Sequence, residues 1–434
     1  MGFAELWDSL LGIGQDAVTG GYRRYSFTET DAACREWFVK TAAERNLRAH
    51  SDRNANLWAW WDAPSATAGL PAMEGDGEAG GGVAGVSGGS SPRASSSTAI
   101  LTGSHLDSVP DGGAYDGPLG VVSAFAAIDQ LRERGFVPAR PVAVAAFCEE
   151  EGGRFGLACL GSRLLTGAVP PEVARELRDG DGVTLAEAMT GAGLDPARLG
   201  ADEELLASIG AFVELHIEQG SALDGLGAAV GIAEGIWPHG RWRLDFTGQA
   251  DHAGTTRLTD RRDPMLPYAA TVLEARQAAA ACGALATFGK VTAEPGGANA
   301  ISSAVRAWLD ARAPDQGVLD HMVGQIEATA RRAAEAQGVE VSMRRESFTP
   351  PVEFDPALRA RLAAALAARG ITAPVLPTGA GHDAGVLAAR LPTAMLFVRN
   401  PSGISHSPAE HADPADCEAG VAALAAVLEE LAGR

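Results

Sequence analysis

The sequence predicts an α/β protein in which one α/β domain is interrupted by a smaller inserted domain. At 434 residues, with 46% hydrophobic and 21% charged residues, the chain is globular in composition and too long for one comfortable core. Apolar runs alternate with helical patterns towards both ends of the sequence. Between Arg241 and Arg345 the order changes to β-α-β-β-α-β, which is typical of a ferredoxin-like unit.

The outer segments predict the larger domain, over residues 1–222 and 350–434. Strands alternating with helices indicate an α/β sheet, whose ligand site lies at the carboxyl ends of its strands. The predicted strands are 57–61, 99–106, 141–147, one ending at 215–217, and 393–398, and the predicted helices are 30–46, 119–134, 356–369 and 415–431.

The inserted domain is predicted over residues 223–349. Its helices are expected at 264–281 and 316–336, and its strands at 241–247, 286–293, 305–312 and 339–345.

Residues 63–97 are dominated by Gly, Ala and Ser. With so few large apolar side chains, the segment cannot bury enough surface to offset its ordering entropy, and we expect a disordered insertion. It contains a formal GxSxG match at Gly85–Gly89. That serine-hydrolase motif needs a strand before it and a helix after it, and neither is predicted, so we interpret the match as chance.

Charge and cysteine usage limit the classes of function. A net charge of −20 and a pI near 4.9 argue against nucleic-acid binding. No apolar run is long enough to suggest a membrane span, and the N-terminus lacks the pattern of a secretory signal. The five cysteines are scattered and form no CxxC pair, which favours free thiols in the cytoplasm.

Imidazoles and carboxylates collect where the predicted strands of the larger domain end. Several such groups at one sheet edge are what a site for borderline divalent ions requires. The motifs are Gly103-Ser-His105-Leu-Asp107, Tyr115-Asp116-Gly117, Glu149-Glu150-Glu151-Gly152, Glu214-Leu-His216-Ile-Glu218 and Ser405-His406-Ser-Pro-Ala-Glu410.

Each motif alone is weak, because a single histidine at a strand end is more often a hydrogen-bonded surface residue. The three glutamates from Glu149 are more informative, since they directly follow an apolar strand. Carboxylates at the edge of a core need a cation or hydrogen bonds to offset their desolvation.

Together these motifs resemble the dinuclear M20-type metallopeptidase superfamily, over nearly the whole chain outside residues 63–97. The resemblance implies a mixed-sheet metallohydrolase catalytic domain and two divalent ions. Zinc is the expected metal, with manganese, cobalt or nickel as alternatives. By this resemblance, His105, Asp116 and His216 would hold one ion, and Asp116, Glu151 and His406 the other, with Asp116 bridging both.

The resemblance is closest to the amidase and carbamoylase branch, which includes N-carbamoyl-L-amino-acid hydrolases, β-ureidopropionases and allantoate amidohydrolases. A histidine at 216, where the peptidases typically place a carboxylate, points to this branch. Glu150 would then be the general base and acid, and His252, in the segment resembling HAGTT, would stabilise the oxyanion. The residues expected to bind substrate are Gln219, Asn299, Arg312 and His382.

The resemblance also implies that the inserted ferredoxin-like domain is a lid and dimerisation domain. A homodimer follows, in which some of these residues reach the partner's metal site. Arg312 would anchor a small anionic ureido or carbamoyl substrate, because its planar fork matches a carboxylate.

Several alternatives stay open at this stage. The substrate is allantoate or an N-carbamoyl-L-amino acid, or else an N-formyl or N-acyl amino acid or a dipeptide, because pocket contacts decide between such carbonyls. A non-catalytic binding protein is the alternative of a different class, although each expected ligand and the base are present. Arg257 replaces the proline usual in the family and leaves the local loop shape open.

Overall fold

The computed structural model of the protein describes residues 2–64 and 98–433. The chain divides into two compact units, the first comprising Met1–Glu234, Phe354–Leu376 and His382–Arg434, and the second Gly235–Glu353 and Pro377–Gly381. The segment 63–97 is predicted to be a disordered insertion. Its residues 65–97, which include the GxSxG match, lie outside the described residues.

The regular elements are numbered in chain order. The helices are α1 (Phe3–Leu11), α2 (Glu29–Glu44), α3 (Pro118–Glu133), α4 (Leu160–Thr166), α5 (Pro171–Arg175), α6 (Leu185–Gly191), α7 (Glu203–Ala207), α8 (Ala222–Leu226), α9 (Met265–Cys282), α10 (Gln316–Ala336), α11 (Pro356–Ala368), α12 (Asp383–Leu387) and α13 (Pro414–Ala432). The strands are β1 (Arg48–Ser51), β2 (Leu57–Trp61), β3 (Ala99–His105), β4 (Val142–Phe147), β5 (Ile209–Ile217), β6 (Val230–Ile236), β7 (His239–Thr247), β8 (Asp251–His252), β9 (Leu285–Glu294), β10 (Ala300–Ile301), β11 (Ala304–Arg312), β12 (Glu340–Thr349), β13 (Val352–Glu353), β14 (Val375–Thr378) and β15 (Thr393–Val398).

The first unit is built on a mixed sheet with the strand order β1-β2-β4-β3-β5-β15-β6. The four central strands, β4, β3, β5 and β15, are mutually parallel. The flanking strands β2 and β6 run antiparallel to their neighbours β4 and β15. Mixed α/β architecture is therefore confirmed.

The central strands are buried on both faces, which explains their nearly continuous apolar sequences. Every residue of β3, β4 and β15 is buried. Helices α3 and α13 carry long buried faces, and with α1, α2 and α11 they join the sheet in the main hydrophobic core.

The longer elements of the second unit follow the order β7-α9-β9-β11-α10-β12, as the sequence predicts, and the two-residue strands β8, β10 and β13 are additional. The four long strands form an antiparallel sheet in the order β12-β7-β11-β9, and β8 pairs with β10 separately. Strand β11 alternates between partly exposed and buried residues, and its buried face packs with α9 and α10 in a separate core. The unit begins at Gly235, later than the sequence-based boundary at 223, because Val230–Ile232 pairs with β15 in the sheet of the first unit.

Within residues 2–64 and 98–433, no helix combines the length and the apolar character that a membrane crossing requires.

Candidate metal centre

Four parallel neighbours in the sheet of the first unit deliver the polar side chains to one edge. Strand β3 ends at His105, and Glu149 to Glu151 follow directly after β4. His216 is the penultimate residue of β5, and His406 follows β15. Because these strands are parallel and adjacent, their carboxyl ends meet, and side chains far apart in sequence become neighbours.

Asp116 lies at the centre of this group. Its Oδ1 is 3.5 Å from Nε2 of His105 and 3.2 Å from Nε2 of His216, and its Oδ2 is 3.4 Å from Nε2 of His406. Nε2 of His406 is also 3.5 Å from Oε2 of Glu151. The donor atoms form two trios that share Asp116, and within each trio they lie within 4.8 Å of one another.

The imidazoles of His105 and His216 are oriented as metal ligands usually are. Nδ1 of His105 is 3.0 Å from the carbonyl oxygen of Asp107, and Nδ1 of His216 is 2.9 Å from that of Ile217. Each Nδ1 therefore donates, which leaves the lone pair on Nε2. Both Nε2 atoms are buried and have no hydrogen-bond partner among the described residues. A cation between them and Asp116 would satisfy both.

The balance of charge at the site also fits a cation. Burial opposes ionisation of Asp116, but the imidazoles of His105, His216 and His406 around it outweigh this and hold its pKa well below the usual range. Burial and the charge of Asp116 raise the pKa of Glu151 to about 7. Buried carboxylates in excess of their positive partners are costly unless a cation compensates them.

The three consecutive glutamates have different environments. Glu149 points away from the site, because its Oε1 accepts the backbone N–H groups of Arg154 and Phe155 at 2.9 and 2.7 Å. Oε2 of Glu150 lies 3.6 Å from Nε2 of His105, and Glu151 faces His406. The positive φ of 55° at Glu149 makes the turn that directs the next two side chains into the site.

Asp107 fixes the backbone of this turn. Its two carboxylate oxygens accept the N–H groups of Glu150 and Glu151 at 3.1 and 3.0 Å. The Sγ–H of Cys159 donates to Oε1 of Glu150 at 3.2 Å, so its Oε2 is the atom left towards His105. Burial, the largest influence, raises the pKa of Glu150 well above its usual value.

Gln219 lies against the central carboxylate. Its Nε2 donates to Oδ2 of Asp116 at 2.8 Å and to Oγ of Ser405 at 3.2 Å. Its Oε1 is buried and has no hydrogen-bond partner in the described part of the chain. The side chain therefore lies beside the two trios of donor atoms, with its carbonyl oxygen available to another group.

His382 packs beside His216, with ring centroids 4.5 Å apart, and its Nε2 is buried and without a partner among the described residues. Burial first, and then the neighbouring His216, hold its pKa well below the usual range, so the ring is neutral. Glu214, His216 and His382 form a further trio of donor atoms. Both oxygens of Glu214 are occupied, by Oγ–H of Ser104 at 2.7 Å and N–H of Ala384 at 2.9 Å, which favours the trios around Asp116.

The second unit brings His252 and Asn299 together. Strands β8 and β10 pair His252 with Ala300, and N–H of Ala253 donates to the carbonyl oxygen of Asn299 at 3.0 Å. N–H of Gly254 donates to Nδ1 of His252 at 3.0 Å, so the neutral ring carries its proton on the exposed Nε2. That tautomer is a hydrogen-bond donor.

Arg312 ends β11 in the second unit and is partly exposed. Its Nε donates to Oδ1 of Asp310 at 2.8 Å, and its Nη1 donates to the carbonyl oxygen of Gly379 at 2.6 Å.

Sequence reasoning gave no role to three acidic residues that support the site, namely Asp107, Glu214 and Glu410. Each is buried although it is an acid, and each accepts hydrogen bonds from segments distant in sequence. Each of the three lies within a strand-end motif, two to four residues from an expected histidine ligand, and this proximity was the sequence signal for them.

Comparison with known proteins identifies relatives over most of the chain. Residues 101–430 match the family model described as peptidase family M20/M25/M40. An N-carbamoyl-L-amino acid amidohydrolase of Geobacillus stearothermophilus is 36% identical over 99% of this chain and 98% of its own. An allantoate amidohydrolase of Bacillus subtilis (strain 168) is 36% identical over 77% of this chain and 81% of its own.

A solved structure gives the same result. The crystal structure of a hydantoinase/carbamoylase family amidase from Burkholderia ambifaria has a TM-score of 0.81 and 31% identity, covering 99% of this chain and 97% of that one. The chain therefore belongs to the peptidase M20/M25/M40 family, and within it to the amidase and carbamoylase branch.

Proposed function

We propose that the chain is a metal-dependent amidohydrolase that hydrolyses a carbamoyl or ureido C–N bond in a small carboxylate substrate and releases ammonia. The observation that carries this proposal is the pair of donor trios that share Asp116. A relative that matches over 99% of this chain and 98% of its own is named for N-carbamoyl-L-amino acids, which makes that class the first choice and allantoate the second.

The proposed cofactor is a pair of divalent ions, with zinc the expected metal. His105, Asp116 and His216 would hold one ion, and Asp116, Glu151 and His406 the other. When bound, such a pair of ions would supply Lewis-acid polarisation of the scissile carbonyl and a nucleophilic water near neutral pH.

Glu150 is the proposed general base and acid. Its Oε2 faces the site, while Oε1 is bonded to Cys159 and Asp107 fixes its backbone. The carboxylate takes a proton from the attacking water and passes it to the leaving nitrogen. Although burial raises its pKa, positive charge held by its neighbours would lower it and keep the base ionised.

The remaining proposed roles concern the substrate. Nε2–H of His252 would donate to the developing oxyanion, which requires the tautomer that Gly254 enforces. Arg312 would bind the substrate carboxylate. Gln219, Asn299 and His382 would contact the polar groups of the carbamoyl or ureido end.

We also propose a homodimer formed through the second unit, which would serve as lid and dimerisation domain. Strand β9 is at an edge of the four-stranded sheet, and most of its residues are exposed. Leu266 and Leu273 on α9 are 53% and 64% exposed, and Val291 on β9 is 47% exposed. An edge strand beside exposed apolar side chains is the type of surface that a second copy covers.

The five free cysteines support a reducing, cytoplasmic compartment.

The experiment is a substrate panel with the purified, metal-loaded protein. Ammonia and CO2 are measured with N-carbamoyl-L-amino acids, allantoate, N-formyl and N-acyl amino acids and dipeptides, with Glu150→Gln as the background control. We expect both products from an N-carbamoyl-L-amino acid. Faster turnover of a formyl, acyl or peptide substrate would move the protein to another amidase class, and no turnover of any would favour a binding protein.

A further inference from the structure

The guanidinium of Arg312 is held on one side by its own strand. Nε donates to Oδ1 of Asp310 at 2.8 Å, and Nη2 donates to Oδ2 of Asp310 at 3.3 Å. Residues two apart on a strand lie on the same face of a sheet, so β11 supplies both the cation and the carboxylate that orients it. On the other side, Nη1 donates to the carbonyl oxygen of Gly379 at 2.6 Å.

These contacts leave two N–H groups of the Arg312 guanidinium without an acceptor among the described residues. A guanidinium has five N–H groups. Asp310 takes one on Nε and one on Nη2, and Gly379 takes one on Nη1. One N–H on each of Nη1 and Nη2 is left without an acceptor among the described residues. Two N–H groups on adjacent nitrogens match the two oxygens of one carboxylate.

We propose that Asp310 is a positioning residue that presents the Nη1 and Nη2 end of Arg312 to the substrate, and so sets the preference for a carboxylate over a carboxamide. The inference rests on the proposed function, in which Arg312 binds the substrate carboxylate. A carboxamide offers this end one acceptor oxygen and sets its NH2 group against the other N–H. Without Asp310, the guanidinium turns among several rotamers and loses this selectivity.

The negative charge of Asp310 acts against an incoming anion, but it does not act alone. Nε of Arg241 is 3.5 Å from Oδ2 of Asp310, so two guanidinium groups face one carboxylate. Burial opposes ionisation of Asp310, but its bond to Arg312 outweighs this and lowers its pKa. The cluster of Arg241, Asp310 and Arg312 therefore keeps a net positive charge. The effect of Asp310 on substrate binding comes from the orientation that it gives to Arg312.

The experiment compares Asp310→Ala and Asp310→Asn with the control Asp245→Ala. Asp245 lies on β7 of the same sheet, accepts N–H groups from Arg243 and Arg306 at 2.8 Å, and has a similar side-chain exposure of 24% against 28% for Asp310. Each variant is assayed with an N-carbamoyl-L-amino acid and with its carboxamide, and its metal content is measured.

We expect Asp310→Ala to raise KM for the acid by roughly 10-fold, with kcat and metal content near normal, because only orientation of the bound carboxylate is lost. The kcat/KM for the carboxamide should change little, so the preference for the acid falls. Asp310→Asn should lie between, since its amide oxygen still accepts one N–H. Asp245→Ala should match the parent protein.

An unchanged or lower KM for the acid in Asp310→Ala would overturn the proposal, because Asp310 would then only compete with the substrate. A parent protein that is inactive on the whole panel would overturn the proposed function instead. In that case, solvent exchange of the Nε–H of Arg312 is measured by NMR and tests the positioning role of Asp310. The resonance is assigned by its loss in Arg312→Lys. Rapid solvent exchange of this N–H in Asp310→Ala, but not in Asp245→Ala, supports the orienting contact, and equal protection in both refutes it.

Discussion

Glu410 holds the backbone of Asp116. Oε1 of Glu410 accepts the N–H of Asp116 at 3.0 Å and also that of Tyr115 at 3.0 Å. A Cβ at Gly113 would lie 2.3 Å from the same oxygen, so the loop closes around this carboxylate with no room for a side chain. Because Glu410 and His406 belong to one short segment, the contact fixes two proposed ligands relative to each other.

Glu410→Ala should therefore lower metal affinity as well as stability. It leaves two backbone N–H groups unsatisfied, which costs about 1–3 kcal/mol each. Glu410→Gln keeps one acceptor oxygen and should lose less. Metal content after dialysis against dilute chelator, and urea unfolding, measure the two effects. The control is Asp202→Ala, which removes a buried carboxylate that accepts N–H of Leu205, and it should lose stability only. Normal metal retention in Glu410→Ala would contradict the role of this contact.

Glu150→Gln should keep its metal and lose most turnover, whereas Glu151→Gln should lose metal affinity as well. Of these two glutamates, Glu151 belongs to a trio of donor atoms, whereas Glu150 approaches one proposed ligand, His105, and belongs to no trio among the described residues. Metal content and the turnover rate of both variants separate the two roles. Equal metal loss in both would show that the roles have been assigned wrongly.

Gly117→Ala should disturb the metal centre through His105. Gly117 has a φ of 83°, and a Cβ there would lie 2.4 Å from atoms of the His105 ring. Gly135→Ala is the matched control, because its φ is 75° and a Cβ there meets nothing within 4 Å. Both substitutions carry the backbone penalty of about 1–2 kcal/mol. Beyond this shared loss of stability, Gly117→Ala should lose metal and activity, and Gly135→Ala should not. Similar metal content in the two variants would contradict the effect of Gly117→Ala on His105.

His50 should make stability depend on pH away from the metal centre. Burial, followed by the charge of Arg48, lowers the pKa of His50 to about 4, against about 6.5 in an unfolded chain. As the pH falls from 6.5 to 4, the unfolded chain binds a proton that the folded protein does not, so stability is lost. Urea unfolding at pH 7, 6 and 5 should show that the advantage of the parent protein over His50→Gln shrinks with falling pH. A constant difference would exclude the effect.

The sequence was most informative where one local pattern decides the structure. Strands β3, β4 and β15 are buried on both faces, so their unbroken apolar runs are distinctive. The parallel order of these strands then brings His105, Glu151 and His406 to one edge, as expected for neighbouring carboxyl ends. Their function as ligands stays a proposal.

Other features depend on contacts that no local pattern specifies. Helices α4 to α7 are each no more than seven residues long, too short for a reliable helical period. The predicted boundary at 223 places the residues of β6 in the insertion, whereas in the structure β6 pairs with β15, which lies far along the chain. The contact of Glu410 with Asp116 joins a segment that precedes the second unit in the sequence to one that follows it, and only the folded chain reveals it.

The shared position of Asp116 also implies an order of events during synthesis. His105, Asp116 and His216 all precede the second unit in the chain, so the donor atoms of the first trio are synthesised before that unit. The other trio waits for His406, which follows the whole second unit. A nascent protein would thus be able to capture one cation early, and would gain a second only once its sheet has received β15.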